Sequence, residues 1–379
     1  MLSSPSTDHR SRTTNRRIPW VIAAVTIAVL LVAAPRALPA AAPTGDQDLG
    51  TRIGHGPEAP AGNFAAAVIE DGKIDFAGRG ADEHTAFELG SISKVFGGLL
   101  LADAIDRGEV SADTTLGEIL GYPADGSGAI TLQQLATHTS GLPRLPLSVP
   151  FYAKTLASIF ANSNPYTQSV DDVIELGRTA HPKADPGFAY SNFGAALLGQ
   201  ALARVTGTSY PALVAERITG PLGMDRTWVE PLDAASASAD RGTAPRLATA
   251  SATGHRATGH VAGAWPAGGF APALAIHSTA GDLSLLAQAV LDGTAPGTDS
   301  LNPVTADDSG GQVGLAWMTT AEPVDSPASG EVVWHNGMTG GSASYLGLLP
   351  DGERAVVVLS ATARGVDEAG LGLLDGGSR

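Results

Sequence analysis

The chain has 379 residues, 43% of them hydrophobic, and sets 23 Lys+Arg against 38 Asp+Glu for a formal net charge of −15. That is enough apolar material for one large core or two modest ones, whereas so acidic a balance lacks the basic patches that nucleic acid requires. Cysteine is absent, which excludes disulfides, zinc–thiolate sites and a thiol nucleophile in any redox compartment.

Residues 1–45 read as an export signal, either cleaved or kept as a membrane anchor. Arg10, Arg12, Arg16 and Arg17 form a positive start, Ile18 to Pro35 is uncharged, and the small-residue run Ala37-Leu38-Pro39-Ala40-Ala41-Ala42 follows. This places the expected protein outside the cytoplasm, secreted, periplasmic or anchored by its N-terminal segment. Removing the segment takes away five arginines and Asp8 and leaves a charge of about −19.

Phe64 to Ile69 and Ile74 to Ala77, joined across Glu70-Asp71-Gly72-Lys73, predict a β-hairpin with a type I′ turn at Asp-Gly. A helix is expected to start at Ser91, with Ile92, Val95, Phe96, Leu99 and Leu100 at helical spacing and Gly108 as its stop. Thr131 caps a short helix ending near His138. Tyr190 to Thr206 carries Phe193, Leu197, Ala201 and Val205 on one face before Gly207, and Pro211 to Ile218 forms another helix. Ser278 or Thr279 caps a longer one reaching Leu291, with Asp282 in its first turn. Glu331 to Trp334 reads as a strand, and Tyr345 to Leu349 with Arg354 to Leu359 forms a second hairpin around Pro350-Asp351-Gly352. Segments 232–266 and 292–311 read as surface loops. Strands thus gather at the two chain ends. The predicted class is α+β: one antiparallel sheet built from both ends and flanked by helices (about 50–110 and 266–379), with an inserted all-helical subdomain at about 111–265.

Three short motifs carry chemistry. Ser91-Ile92-Ser93-Lys94 puts a hydroxyl and an amine three residues apart on one helix face, close to helix N-terminal N–H groups, a way to activate a weak nucleophile. The chain has only four lysines, Lys73, Lys94, Lys154 and Lys183, so the pairing does not come from a lysine-rich surface. Tyr190-Ser191-Asn192 delivers a phenol that can carry protons and an amide that can hold a carbonyl. Trp334 to Gly341, containing His335-Asn336-Gly337-Met338, runs a strand end into a glycine-rich bend whose N–H groups can stabilise an oxyanion. Neither H-E-x-x-H, G-x-S-x-G nor a P-loop pattern occurs, which disfavours a zinc hydrolase, an α/β-hydrolase and a nucleotidase. His138 is expected to pack under the nucleophile loop, and His277 to sit at a loop-to-helix junction.

Taken in order, these motifs resemble the serine β-lactamase and penicillin-binding superfamily, most closely its class C β-lactamase branch, which includes DD-peptidases and esterases. Phe87 to Lys94, Asp103 to Glu109, Leu135 to Pro143, the tyrosine motif, and Ala267 to Phe270 followed by Ser278 to Leu283 carry the likeness over most of the chain. The resemblance implies Ser91 as the acylated nucleophile, with Lys94 and Tyr190 exchanging its proton. It implies Asn192, His335, Gly337 and Met338 as substrate-binding residues, the N–H groups of Ser91 and Met338 forming the oxyanion hole. Lysine titrates near 10.4 and tyrosine near 10 in the free state, so either needs a shifted pKa to act as base, and the sequence leaves open which one does. No metal or organic cofactor is implied, and a monomer acting on a small molecule or a cell-wall peptide is expected. His335 departs from the pattern, since many β-lactamases carry lysine there. A histidine should attract a substrate carboxylate more weakly and in a pH-dependent way. Gly50 to Gly62 reads as too short and too Gly/Pro-rich for the N-terminal helix usual in the family.

Overall fold

The computed structural model describes residues 35–38, 41–55, 58–232, 247, 249–320, 331–349 and 354–376. The expected export segment therefore lies outside the described residues for nearly its whole length, as does the turn of the second hairpin at 350–353. Among the described residues no helix is long and apolar enough to cross a membrane.

Among the described residues, the body from Leu38 onward is built on twelve strands: β1 (Pro43–Gly45), β2 (Phe64–Glu70), β3 (Lys73–Arg79), β4 (Ala86–Glu88), β5 (Trp228–Val229), β6 (Ile276–Thr279), β7 (Thr305–Ala306), β8 (Gln312–Val313), β9 (Met318–Thr319), β10 (Val333–Met338), β11 (Ala343–Leu349) and β12 (Arg354–Ser360). Nine form an antiparallel sheet in the order β1-β3-β2-β12-β11-β10-β9-β8-β7. The two chain ends meet where β2 pairs with β12, from Phe64↔Ser360 to Glu70↔Arg354. The first hairpin has the expected two-residue turn: Asp71 and Gly72 take φ of 51° and 74°, as a type I′ turn demands.

Both faces of this sheet are covered, which is why its strands read as almost unbroken apolar runs. Successive side chains point to opposite faces. Ala65, Ala67 and Ile69 of β2 and Ala355, Val357 and Leu359 of β12 enter the larger core, while Phe64, Ala66, Val68, Val356 and Val358 enter a smaller one. The smaller core is closed by α1 (Gln47–His55), through Leu49 and Ile53, and by the last helix, through Leu373 and Leu374.

The α1 helix overturns the expectation of a helix-free edge before the first hairpin. A reading that starts at Gly50 splits the buried pair Leu49 and Ile53, which lie four apart on one face, and misses Asp46, whose Oδ1 accepts the Leu49 N–H at 2.8 Å.

The helices that follow are α2 (Ser93–Asp106), α3 (Leu116–Leu120), α4 (Leu132–Ala136), α5 (Val149–Ala161), α6 (Val170–Arg178), α7 (Asn192–Thr206), α8 (Tyr210–Val214), α9 (Ala271–Leu274), α10 (Ala280–Leu291) and α11 (Asp367–Leu374). Their starts follow the sequence signals. Capping boxes at Thr115, Thr131 and Ser169 open α3, α4 and α6, Ser191 caps α7, and Thr279 caps α10 by accepting the Asp282 N–H. Gly108, with φ +69°, ends α2 as expected. Helix α2 is buried along nearly its whole length between α7, α9 and the sheet side of the core. It lies so close to the chain at Leu315 that a Cβ on Gly98 would stand 1.9 Å from the Leu315 carbonyl oxygen.

Strands are not confined to the chain ends. Between residues 86 and 279 a second, three-stranded sheet forms in the order β4-β6-β5. His277 lies within β6 of that sheet, buried against Trp228, not at a loop-to-helix junction. Strands of two to four residues are too short to show a period of two, so only the tertiary pairing reveals them.

Candidate active site

The nucleophile segment is set at a right-handed turn rather than at the start of an α-helix. β4 delivers Glu88, Gly90 takes φ +54°, a 3₁₀ turn covers Gly90–Ile92, and α2 begins only at Ser93. The turn is tied on three sides. Ser344 Oγ donates to the Leu89 carbonyl at 2.7 Å, Ser93 Oγ accepts the Ile276 N–H at 3.0 Å, and the Glu88 carboxylate accepts both the Trp265 N–H and the Thr339 hydroxyl. Gly90 is required where it stands, because its conformation belongs to the left-handed region and a Cβ there would lie 2.6 Å from the Met338 nitrogen.

Lys94 is buried, with 2% of its surface exposed, and its Nζ lies 3.0 Å from Ser91 Oγ and donates to the Ala273 carbonyl at 2.8 Å. Burial, with repulsion from Arg144 added, holds its pKa well below the ordinary lysine value. Tyr190 comes from the other side of the cleft. Its ring centroid is 5.0 Å from Lys94 Nζ, 5.2 Å from the Arg144 guanidinium carbon and 4.4 Å from the His138 ring. Burial pushes the Tyr190 phenol up to about 12, against smaller opposing effects of the Ser91 hydroxyl and the Arg144 charge. The amine is thus biased toward its neutral, proton-accepting form and the phenol toward its proton-donating form.

The tyrosine motif rests on the loop around His138. His138 adopts φ +59°, its carbonyl accepts the Ala189 N–H, and its Nδ1 accepts the Ser191 N–H at 3.3 Å. Ser191 Oγ then donates to the Pro143 carbonyl and accepts the Gly194 N–H, so one residue both caps α7 and pins the tyrosine loop. His138 therefore packs directly against Tyr190.

Strand β10 forms the opposite wall and runs further than expected, through His335-Asn336-Gly337-Met338. β9 accompanies it only at Val333 and Trp334, which leaves its later edge free to face the nucleophile turn. The Thr339 N–H bonds to Ser342, so by the alternation of an antiparallel ladder the Met338 N–H points away from β11 and toward that turn. A Cβ on Gly337 would lie 2.8 Å from the Ser91 nitrogen. The two amides named for the oxyanion hole thus flank one point beside Ser91.

A cavity of about 280 Å³ opens over Ser91, lined by Arg144, Tyr190, Asn336, Gly337, Met338, Gly365, Val366 and Asp367. A larger cavity of about 690 Å³, bordered by α6, α7 and α8, holds none of the expected site residues. Asn192 and His335 are not on the wall of the smaller cavity. Asn192 is buried, donates from Nδ2 to the Tyr166 hydroxyl at 3.1 Å and leaves Oδ1 without a partner. His335 is buried, with Nδ1 2.6 Å from the Asn336 carbonyl oxygen and Nε2 without a partner. Burial, with the Lys94 charge added, lowers its pKa to about 3. The pH-dependent attraction expected of His335 is therefore absent, because the ring is neutral throughout the physiological range. Among the described residues no three His, Asp or Glu side chains converge as a metal ion would need.

Three wall or support residues were not singled out from sequence: Arg144, Asp367 and Tyr166. Arg144 follows Gly-Leu-Pro in a loop and looks like any surface arginine, and Asp367 reads as an ordinary first-turn residue of α11. Tyr166 sits in a loop with no periodic pattern around it.

The chain is similar to known proteins in sequence and in fold. A family model described as Beta-lactamase matches residues 58–374. A beta-lactamase of Escherichia coli (strain K12) is 33% identical over 178 residues, 44% of this chain and 43% of that protein. A D-alanyl-D-alanine-carboxypeptidase/endopeptidase of the same organism is 32% identical over 149 residues, 38% of this chain and 36% of that one. The aligned stretch spans under half the length of these relatives. In fold, the chain is similar to a class C beta lactamase from Rhodobacter sphaeroides, with a TM-score of 0.63 at 24% identity over 81% of this chain and 91% of that one. It is also similar to the octameric penicillin-binding protein homologue from Pyrococcus abyssi, with a TM-score of 0.67 at 21% identity over 83% and 73%.

Proposed function

The chain belongs to the beta-lactamase family, and from that premise we propose that it is an exported serine hydrolase that passes through an acyl-serine on a β-lactam or a related amide or ester. The observation that carries this reading is the buried Lys94 amine at 3.0 Å from Ser91 Oγ. With its pKa held down, Lys94 accepts the Ser91 proton as Oγ attacks the substrate carbonyl carbon. Charge developing on the carbonyl oxygen is met by the Ser91 and Met338 N–H groups. The Tyr190 phenol, still protonated at neutral pH, gives its proton to the departing nitrogen or oxygen; its phenolate then takes a proton from the water that attacks the acyl carbon, and the Lys94 ammonium returns its proton to Ser91 Oγ as the acyl group leaves. Asn192, the substrate-orienting amide that the family resemblance implies, has Nδ2 held by Tyr166 and Oδ1 unpartnered behind the cavity wall. Export rests on the arginine-led apolar segment at 1–45.

The alternatives of the same fold are a D-alanyl-D-alanine carboxypeptidase and a carboxylesterase, and the neutral, buried His335 in place of a cation favours the esterase, whose substrate needs no carboxylate. Use of the same pocket for binding alone, as a penicillin-binding sensor, gives the proton-transfer set no purpose.

The test is an assay of the purified protein and of Ser91→Ala against a chromogenic cephalosporin, a short-chain nitrophenyl ester and a D-Ala-D-Ala peptide. Turnover in the parent that is lost in Ser91→Ala is expected, and turnover that survives the substitution contradicts the assignment of the nucleophile. The substrate turned over separates the readings, and stoichiometric labelling by a fluorescent penicillin without turnover points to the sensor.

A further inference from the structure

We propose that Arg144 is the residue by which this pocket recognises a carboxylate on its substrate, an assignment that rests on the serine-hydrolase reading. The cavity over Ser91 contains one positively charged side chain, Arg144, and one carboxyl, Asp367. The guanidinium is exposed at the cavity wall, 5.2 Å from the Tyr190 ring centroid, and among the described residues it makes no ion pair. A planar cation with five donors and only a ring face for company is an unfilled site for a carboxylate, which it can engage bidentately.

Among the described residues around Ser91, no other group takes that part. Lys94 is buried and committed to Ser91 Oγ and the Ala273 carbonyl. His335, on the strand facing Ser91, is buried and neutral. Asp367 already accepts the Asn336 amide at 2.9 Å, burial raises its pKa, and among the described residues it forms no ion pair with the guanidinium. Arg144 also acts on the reacting groups: its charge disfavours protonation of Lys94 and lowers the Tyr190 pKa. A bound carboxylate would screen that charge, so recognition and proton transfer are coupled at this one residue.

Two pairs of aryl esters of matched size test the proposal. One pair differs by a terminal carboxylate on the acyl chain, nitrophenyl glutarate against nitrophenyl valerate. The other differs by a carboxylate on the leaving group, 3-carboxyphenyl acetate against phenyl acetate. The readout is the ratio of kcat/KM for the anionic ester to that for its neutral partner, in which the fraction of folded enzyme cancels. Arg144→Ala should lower that ratio about tenfold to a hundredfold in at least one pair, the loss of a charge-assisted hydrogen bond. Arg144→Lys should retain part of it, and Arg144→Glu should fall below Arg144→Ala. The pair that responds identifies the side of the scissile bond on which the carboxylate lies. Ser91-dependent turnover with both ratios unchanged in Arg144→Ala overturns the assignment and leaves the hydrolase reading standing. Absence of Ser91-dependent turnover of all four esters by the parent overturns both.

Discussion

Replacing Lys94 by methionine separates catalysis from stability, because the two effects should have opposite signs. Methionine fills about the same volume without a proton to exchange. The variant loses the Nζ contacts to Ser91 Oγ and the Ala273 carbonyl, at 3.0 and 2.8 Å in the parent, about 1 kcal/mol each for neutral partners. Against this stands the cost of burying the amine. The folded pKa is depressed well below 10.5, chiefly by burial, so between those two values the unfolded chain binds the proton that the folded chain has released. Stability of the parent must then rise with pH across that window, by up to about 1.4 kcal/mol per pH unit, and the contribution is complete only above the unfolded value. Lys94→Met lacks this dependence. It should be at least as stable as the parent at pH 7, and its advantage should shrink steadily toward pH 10. Meanwhile kcat/KM should fall by about 10² to 10⁴, the usual loss for a general base. Urea unfolding at pH 7, 8 and 9 with ester kinetics at pH 7 measures both. Stability curves that run parallel between pH 7 and 9, or activity within tenfold of the parent, would refute a neutral Lys94 acting as base.

Other expectations follow from the same structure. The His335 ring, with a pKa of about 3, should show no titration between pH 8 and 5 in NMR spectra of the imidazole carbons; a shift with a midpoint near 6 would contradict its burial. Gly98→Ala should destabilise the protein by about 1–3 kcal/mol through overpacking, because the new methyl would meet the Leu315 carbonyl oxygen at 1.9 Å; an unchanged melting temperature would show that α2 can shift away from that chain.

How much was legible depends on the length of the pattern. The hairpin of β2 and β3 and the helices α2, α7 and α10 each span seven or more residues and carry their own turn or cap residues, so local chemistry announces them. The short motifs S-x-x-K and Y-x-N were legible for the same reason. By contrast, β4, β5 and β6 are short and acquire their identity only by pairing across distant segments. α1 was lost because its capping Asp46 and the buried pair Leu49 and Ile53 straddle the point where the glycine-rich reading began.

What the sequence determined by itself was the inventory: a serine with a lysine one helical turn on, a tyrosine paired with an asparagine, a glycine-rich strand end, and apolar strand segments at both ends of the chain. Tertiary structure decided their charge states and their exposure. The fold removes water from Lys94 and His335, which weakens the hold of the lysine on its proton and keeps the histidine neutral, and Arg144 becomes the cation of the cavity because the 3₁₀ turn, the Tyr190 loop and β10 converge beside it. A pKa and a cavity wall are properties of neighbours brought from hundreds of residues away, and no local pattern encodes them.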